Sequence, residues 1–108
     1  APQKTRMKRF VLAPAAAQDL NDIWDYVAED SLDRADRLLE TLYDQIRSFA
    51  MTPGMGHERK DLAEDRPLLF WPVGNYLILY RAREGFIEIA AIVHGKRDIP
   101  AFIRRRDI

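Results

Sequence analysis

The segment that most constrains the fold of this chain is residues 86–98, FIEIAAIVHGKRD. Its first eight residues are almost entirely apolar and rich in isoleucine, a composition typical of a buried β-strand. The strand leads directly into the polar run HGKRD. The rest of the chain is therefore expected to cover this strand, and the residues after Val93 are the first candidates for a catalytic or recognition site.

Length and composition predict one intracellular domain. The 108 residues, 47% of them hydrophobic, suffice for one packed core and are too few for two ordinary domains. Met7 is the expected natural start, which gives a domain at residues 7–108 and a leader or remnant at residues 1–6. The absence of cysteine excludes disulfides and thiolate sites and favours a reducing compartment. No apolar run approaches the roughly 20 residues of a membrane span, so we expect a cytoplasmic protein.

The charges are balanced overall but unevenly distributed. The formal net charge of +0 argues against a generic binder of the phosphate backbone, which usually carries a basic excess. Residues 1–13 carry a net +4, residues 14–50 carry nine acids against three arginines, and residues 95–108 carry a net +3. Two basic ends around an acidic middle favour a charge-guided protein partner over non-specific nucleic-acid binding.

Two antiparallel amphipathic helices are predicted between residues 14 and 50. Pro14 suits the first turn of the first helix, and Asp30 and Ser31 can cap the second by accepting hydrogen bonds from its free N–H groups. Apolar residues recur at helical spacing in both. They are Leu20, Ile23, Trp24, Val27 and Ala28 in the first helix, and Ala35, Leu38, Leu39, Leu42, Ile46 and Phe49 in the second. The short connection makes the helices neighbours.

Four strands complete the predicted order β-α-α-β-β-β. They lie at residues 8–13, 68–73, 76–82 and 86–94, and the last three form a meander because short turn sequences separate them. Residues 52–66 contain Pro53, Gly54 and Gly56 and are predicted to form a loop. The fold class is therefore α+β, with two layers: a helical hairpin on one face of a mainly antiparallel sheet.

The last predicted strand is apolar on both of its faces. Alternation places Ile87, Ile89, Ala91 and Val93 on the face that carries the helical hairpin, and Phe86, Glu88, Ala90, Ile92 and His94 on the other. An apolar second face in a small domain needs a cover. Three covers are open: the chain's own tail, a second copy, or a foreign chain. Residues 99–106 are expected to form a short final helix, with Pro100 in its first turn, or an irregular tail.

A metal-free ribonuclease is one chemistry that these residues could support. Cleavage requires a base for the 2′-hydroxyl, an acid for the leaving oxygen and cations for the phosphate. His94, Arg97 and Arg81 could supply one titrating group and two cations. A second acid or base is not evident, since Tyr80 falls in mid-strand, where a core position is expected. The alternative for His94 is a histidine at a strand end, hydrogen-bonded to a neighbouring backbone group.

Metal and cofactor sites are not predicted. The acids of the first helix are spaced like a solvated helical face; they are Asp19, Asp22, Asp25 and Glu29. Gly54-Met55-Gly56 lacks the strand-to-helix context and the Lys-Ser/Thr ending of a phosphate loop. Trp24 and Trp71 are expected to pack, one on the first helix and one on the first strand of the meander.

Four stretches of the chain together resemble the RelE/ParE superfamily of type II toxin–antitoxin toxins, and within it the ParE branch. They are RFVLAPAAAQDLNDIWDYVAED, TPGMGHERKDL, VGNYLILYRA and IEIAAIVHGKRDI. The resemblance implies a compact toxin held inactive, as a hetero-oligomer, by an antitoxin encoded beside it. The expected antitoxin-binding residues are Phe86, Glu88, Ala90, Ile92 and Trp71.

Members of the superfamily differ in their targets. This chain resembles the ParE branch because it lacks residues with which the RNA-cleaving members act. Relatives such as RelE cut messenger RNA on the ribosome with a basic cluster and a late tyrosine, or with a histidine-tyrosine pair and a glutamate. Here Gly95 follows His94, and no tyrosine occurs after Tyr80. ParE-like members instead poison DNA gyrase, which implies a growth-arresting inhibitor rather than an enzyme and only indirect contact with nucleic acid. The expected target-binding residues are Lys96, Arg97, Arg104 and Arg105.

Two alternatives to the gyrase inhibitor stay open. One is an endoribonuclease of RelE type, with His94, Arg97 and Arg81 as its catalytic residues. The other is a degenerate toxin that only binds its antitoxin.

Overall fold

The computed structural model describes residues 10–108, which form one five-stranded sheet and four α-helices. The strands are β1 (Phe10–Leu12), β2 (His57–Glu58), β3 (Leu69–Val73), β4 (Tyr76–Arg83) and β5 (Phe86–His94). The helices are α1 (Pro14–Ala28), α2 (Leu32–Met51), α3 (Lys60–Ala63) and α4 (Ile99–Arg106), with a 3₁₀ turn at Pro53–Met55. Residues 8 and 9 of the first predicted strand lie outside the described range. No helix within residues 10–108 has the length and apolar character to cross a membrane.

The helical hairpin forms as its sequence pattern predicts. Pro14 opens α1, where its missing N–H costs no hydrogen bond. Ser31 caps α2 by accepting a hydrogen bond from the Arg34 backbone N–H at 3.2 Å. Trp24 Nε1 donates to Asp36 Oδ1 at 2.9 Å and ties the two helices together. The predicted α+β class is therefore confirmed on its helical side.

The sheet has the order β1-β5-β4-β3-β2. β1 runs parallel to β5, with Phe10 opposite Ile87, and the other three pairings are antiparallel. The mainly antiparallel sheet is thus confirmed. β5, the strand that is marked as buried by its composition, lies between β1 and β4. It therefore joins the N-terminal strand to the antiparallel meander.

The predicted loop at residues 52–66 is wrong in part, because it contains β2 and α3. β2 has only two residues, too few for an alternating pattern, and it forms by pairing with β3. Gly56 allows this approach: its backbone N–H donates to the Tyr80 hydroxyl at 2.9 Å, and a Cβ there would lie 2.8 Å from Tyr80 Cε1. Glycine is therefore required where this segment crosses β4.

A β-bulge at Ala90 corrects the predicted faces of β5. Leu79 pairs with Ala91, but Tyr80 pairs with Ile89, so Ala90 is the extra residue. Ile87 and Ile89 face the helical hairpin as predicted. Beyond the bulge the alternation inverts, because one inserted residue shifts every later side chain to the opposite face. Ile92 consequently packs under the hairpin, whereas Ala91 and Val93 pack on the other side.

The second face of the sheet is covered by the chain's own tail. α4 is a helix, capped by Asp98, whose Oδ1 accepts a hydrogen bond from the Ala101 N–H at 3.1 Å. Its apolar residues Ile99, Phe102 and Ile103 pack into a core with side chains of β3, β4 and β5. Of the three covers that the sequence left open, the tail is the one that the described residues show.

Candidate functional site

A groove of about 1210 Å³ opens between the helical hairpin and the end of the sheet where β5 leads into α4. Ile23 and Tyr26 of α1 and Leu38 of α2 form one apolar wall. Ile92 and Phe102 form the facing wall. Tyr26 is 74% exposed at the rim, although tyrosine usually buries most of its ring. The groove is large and apolar enough for side chains of another molecule.

Asp19 is the structural centre of the groove, not a solvated acid as predicted. Its Oδ1 accepts from Arg106 Nη2 at 2.8 Å, and its Oδ2 accepts from the Ile92 backbone N–H at 3.1 Å. The two side chains of this ion pair are only 14% and 21% exposed. Asp19 thus joins α1 to α4 and accepts a hydrogen bond from the β5 backbone just after the bulge. The remaining acids of that series, Asp22, Asp25 and Glu29, are exposed as expected.

Two guanidinium groups lie against the Phe102 ring. The Cζ of Arg106 is 4.6 Å from the ring centroid, and the Cζ of Arg97 is 5.2 Å from it. Both distances are within the range of a cation–π interaction. Arg106 is neutralised by Asp19, whereas Arg97 has no carboxylate partner within residues 10–108. Arg97 therefore presents an unneutralised charge at the junction of β5 and α4.

The opposite wall carries two more unneutralised guanidinium groups. Arg34 and Arg37 lie on α2, line the groove and are exposed. Neither side chain forms an ion pair with any residue of the described chain. Among the acids of the groove, Asp19 is occupied by Arg106, which leaves Asp22 as the one with free charge among the residues that line it. The groove is therefore positively charged although the whole chain is neutral.

His94 is held as a strand-end residue. Its Nδ1 accepts a hydrogen bond from the Lys96 backbone N–H at 3.1 Å, and its ring packs edge-on against Tyr76 at 5.2 Å. The Gly95 N–H donates to the Asn75 carbonyl at 2.8 Å, which fixes the exit from β5 against the β3–β4 turn. The alternative interpretation of His94, a hydrogen bond to a neighbouring backbone group, is confirmed.

The three nuclease candidates do not converge. His94 lies opposite Tyr76, whereas Arg81 is five residues further along β4 and opposite Glu88. At about 3.3 Å per residue, the two positions are roughly 17 Å apart. They also lie on different faces, since Arg81 donates to the Ile108 carbonyl beside α4. Burial lowers the pKa of Arg81, and the nearby Arg83 adds to this effect. Tyr80 is fully buried and stacks on Phe49, as expected of a core residue.

The expected target-binding residues lie along the polar exit and α4. Lys96, Arg97, Arg104 and Arg105 are all exposed. Arg104 Nη1 is 3.8 Å from Glu64 Oε2, a surface pair of little energetic weight. The other three have no carboxylate partner in the described chain. The structure therefore presents these cations to solvent, Lys96 and Arg97 shortly after His94 and Arg104 and Arg105 in the last turn of α4.

The expected antitoxin-binding residues are divided between the two faces of the sheet. Phe86, Glu88 and Ala90 precede or form the bulge and lie on the α4 face, whereas Trp71 and Ile92 pack under the hairpin. Ala90 and Ile92 are each only 3% exposed. Trp71, Phe86 and Glu88 are half-buried and keep some surface for a partner. The apolar face that motivated this set is covered by α4, one of the three covers that the sequence left open, and the bulge moves Ile92 to the other face.

Metal ligation has no support in the described residues. Residues 10–108 contain no group of three or more His, Cys, Asp or Glu side chains that could hold an ion. His57, the second histidine, is exposed and stacks on Trp71 with ring centroids 5.9 Å apart.

The groove residues are the functional candidates that sequence reasoning missed. Arg34 and Arg37 looked like ordinary members of a charged helix surface. Phe102 and Arg106 belonged to a tail that was expected to be either a short helix or irregular. One signal was available: Arg34 and Arg37 are three residues apart, so they form a short basic stripe on α2 within an acidic segment. The partner of Asp19 could not be found this way, since it lies 87 residues away.

Comparison with known proteins gives consistent matches. The family model described as "ParE toxin of type II toxin-antitoxin system, parDE" matches residues 10–99. The chain is 28% identical over 93 residues to Toxin ParE1 of Mycobacterium tuberculosis, from strains CDC 1551 / Oshkosh and ATCC 25618 / H37Rv, covering 84% of this chain and 93% of the relative. A chain from the solved chromosomal ParDE TA system from P. aeruginosa aligns with a TM-score of 0.67 at 20% identity, covering 82% of this chain and 96% of that one.

Proposed function

Because the chain belongs to the ParE toxin family of type II toxin–antitoxin systems, we propose that a cognate antitoxin neutralises it and that its target is DNA gyrase. The toxin acts in the cytoplasm, where both partners would be found. It stabilises the state in which gyrase has cleaved DNA, and replication stops as a consequence.

The antitoxin partner is supported by the structural relative and by the surface of this chain. The similar P. aeruginosa chain comes from a ParDE toxin–antitoxin system. In this chain, a large groove with apolar walls and unneutralised arginines is open to solvent. Apolar walls of this kind are unfavourable when they are exposed to water. The groove is therefore suited to a protein partner.

One observation carries the preference for gyrase over RNA cleavage: the candidate catalytic residues lie apart. A nuclease needs its base, its acid and its phosphate-binding cations within hydrogen-bond reach of one substrate. His94 on β5 and Arg81 on β4 lie roughly 17 Å apart and on opposite faces of the sheet. In addition, Nδ1 of His94 is engaged by the Lys96 N–H. The observed arrangement favours recognition of a protein over phosphodiester chemistry.

The exposed cations of the polar exit and of α4 are the proposed contact with the target. Lys96 and Arg97 follow β5, and Arg104 and Arg105 lie on α4. Gyrase with cleaved DNA presents phosphates and acidic side chains, both of which arginine can bind through two parallel hydrogen bonds. These residues are therefore expected to contribute more to inhibition than to the stability of the fold.

A supercoiling assay tests the proposal. Purified protein is titrated into gyrase, relaxed plasmid and ATP, and the supercoiled product is measured on a gel. The proposal predicts a dose-dependent loss of supercoiling that the antitoxin reverses. Unchanged supercoiling at a large molar excess, together with cleavage of translated messenger RNA that is lost in His94→Ala, would establish the ribonuclease in its place.

A further inference from the structure

We propose that the groove between the helical hairpin and α4 binds an unpaired nucleic-acid strand. The bases of the strand stack on Tyr26 and Tyr76. Its phosphates pair with Arg34, Arg37 and Arg97. The inference goes beyond the proposed function, because this binding needs neither gyrase nor the antitoxin, and it departs from the expectation of only indirect contact with nucleic acid.

The charged groups that line the groove are mostly hydrogen-bond donors. Arg34 and Arg37 stand on α2, and Arg97 stands on the other wall at the junction of β5 and α4. Within residues 10–108 none of the three forms an ion pair, and Asp22 is the one lining acid without an ion pair. A guanidinium group binds a phosphate through two parallel hydrogen bonds. Three such groups on two walls therefore suit a ligand that carries several phosphates in succession.

His94 adds a neutral donor to this set. Its Nδ1 accepts a hydrogen bond from the Lys96 backbone N–H at 3.1 Å, so the proton of the neutral ring is on Nε2. The same side chain lines the groove. Its Nε2–H group can therefore donate a hydrogen bond to a phosphate oxygen of a bound strand.

Aromatic rings line the same groove as the cations. Tyr26 is 74% exposed, Tyr76 is half-buried, and the His94 ring packs edge-on against Tyr76 at 5.2 Å. Burial raises the pKa of the Tyr76 hydroxyl, and the nearby Tyr26 adds to this effect, as expected of two phenols that share one groove. Proteins bind single strands with exposed rings and cations together, because every base has a face that can stack. In a duplex these faces are covered by neighbouring bases, so the expected ligand is an unpaired strand.

The size of the groove and the neutrality of the chain limit the contact to a few nucleotides. The volume of about 1210 Å³ exceeds the roughly 300 to 1,000 Å³ of a site for one small ligand, so more than one nucleotide can enter. The formal net charge of +0 provides no general attraction for a phosphate backbone. With three phosphate contacts, the logarithm of the affinity should fall with the logarithm of the salt concentration with a slope of about −2.

Fluorescence anisotropy with a labelled strand tests the proposal. The probe is a fluorescein-labelled oligodeoxythymidylate, and its affinity for the purified protein is measured at two salt concentrations. We expect a loss of about 20-fold in affinity between about 50 mM and about 200 mM salt. Arg34→Ala/Arg37→Ala should reduce this loss to about threefold, since two of the three phosphate contacts are removed. Arg47→Ala, at an exposed position of α2 outside the groove, should behave like the wild type.

A second variant tests stacking. Tyr26→Leu keeps an apolar side chain but removes the ring, so it should weaken binding at least about fivefold at either salt concentration. Leu32→Ala, at an exposed apolar position outside the groove, is the control and should bind like the wild type. All of these variants alter exposed side chains, so their thermal unfolding should stay close to that of the wild type.

Three results would overturn the proposal. The first is the absence of binding at the lower salt concentration. The second is equal binding by a duplex of the same length, or equal displacement of the probe by polyglutamate or by adenosine monophosphate, which would assign the groove to an acidic peptide or a free nucleotide. The third is a wild-type affinity and salt dependence in both groove variants, which would place the strand elsewhere on the chain. None of these results bears on the antitoxin or on gyrase, because the assay contains neither.

Discussion

Asp19 on α1 and Arg106 on α4 form an ion pair of 2.8 Å that joins the helical hairpin to the C-terminal helix across the end of the sheet. The second carboxylate oxygen of Asp19 accepts the Ile92 N–H at 3.1 Å, immediately after the bulge in β5. A single side chain therefore fixes α4, the bulged strand and one wall of the groove in relation to one another.

Replacement of this aspartate should destabilise the whole fold. Asp19→Ala leaves the Arg106 guanidinium and the Ile92 N–H without their partner in a largely buried position, which should cost about 2 to 4 kcal/mol of unfolding free energy. Denaturant titration measures this cost. Asp25→Ala, an exposed acid on the same helix, is the control and should change stability by less than about 0.5 kcal/mol. Equal effects of the two substitutions would show that Asp19 behaves like a solvated acid and has no special role in stability.

The crossing of the 52–66 segment over β4 predicts contrasting effects at two neighbouring glycines. A Cβ on Gly56 would lie 2.8 Å from Tyr80 Cε1 in a packed core, so Gly56→Ala should cost about 1 to 3 kcal/mol. A Cβ on Gly54 meets nothing within 4 Å, so Gly54→Ala should be close to neutral or slightly stabilising. Thermal unfolding of both variants checks this difference, and similar melting temperatures would contradict it.

The turn after α3 contains a residue in a conformation that favours glycine. Glu64 has φ 59° and ψ −124° and is the second residue of a turn that is closed by a hydrogen bond from the Arg66 N–H to the Ala63 carbonyl at 3.0 Å. Glu64→Gly should therefore stabilise the protein by about 0.5 to 1.5 kcal/mol, since relief of strain exceeds the weak surface pair with Arg104. Glu64→Ala removes the same pair without the backbone freedom and should not stabilise. An equal gain in both variants would show that the side chain, not the backbone, was unfavourable.

Tyr80 should make stability fall in strongly alkaline solution. Burial raises the pKa of its hydroxyl above the ordinary 10.0, an effect that the Gly56 N–H partly opposes. The folded state therefore retains the proton longer than the unfolded state, so the stabilisation is fully present below pH 10 and is lost as pH rises through the folded-state pKa. Unfolding free energies measured from pH 8 to pH 11 should decline, and Tyr80→Phe should show a shallower decline. An equal slope in the variant would contradict this assignment.

The sequence predicted the large elements well because their patterns are long. The apolar stripes of α1 and α2 each extend over several turns, so a single misleading residue does not alter them. The same holds for β5, where composition alone marks a central strand. β2 and α3 have two and four residues, too few for any periodicity, and they exist because tertiary contacts hold them.

The bulge at Ala90 explains why the faces of β5 were assigned correctly only up to that residue. Glu88 is the single polar residue between Phe86 and Val93, so nothing in the later part of the strand marks which side faces outward. Both faces of the strand are apolar near the bulge. The change of face that the extra alanine causes therefore leaves no sign in the sequence. The face that each residue after the bulge occupies is determined only by pairing with β4, which is a property of the folded chain.

About half of the candidate site could be predicted from the sequence. The polar exit with His94 and Arg97 follows directly from the end of a strong strand pattern. The other half depends on α4 folding back, which brings Phe102 and Arg106 to α1 and α2 from far along the chain. Long-range ion pairs of this kind have no local signature, since either residue alone looks like ordinary surface charge.

The central claim is most directly tested by counting the covalent gyrase–DNA complexes that form in the presence of the toxin. Gyrase, plasmid and ATP are incubated with the wild-type protein, with Arg97→Ala, and with Arg83→Ala as an exposed arginine outside the proposed target contact. We predict linear, protein-linked plasmid with the wild type and Arg83→Ala, and at least about tenfold less with Arg97→Ala at a stability within about 1 kcal/mol of wild type. Absence of linear plasmid with the wild-type protein at any concentration, with supercoiling intact, would contradict the account.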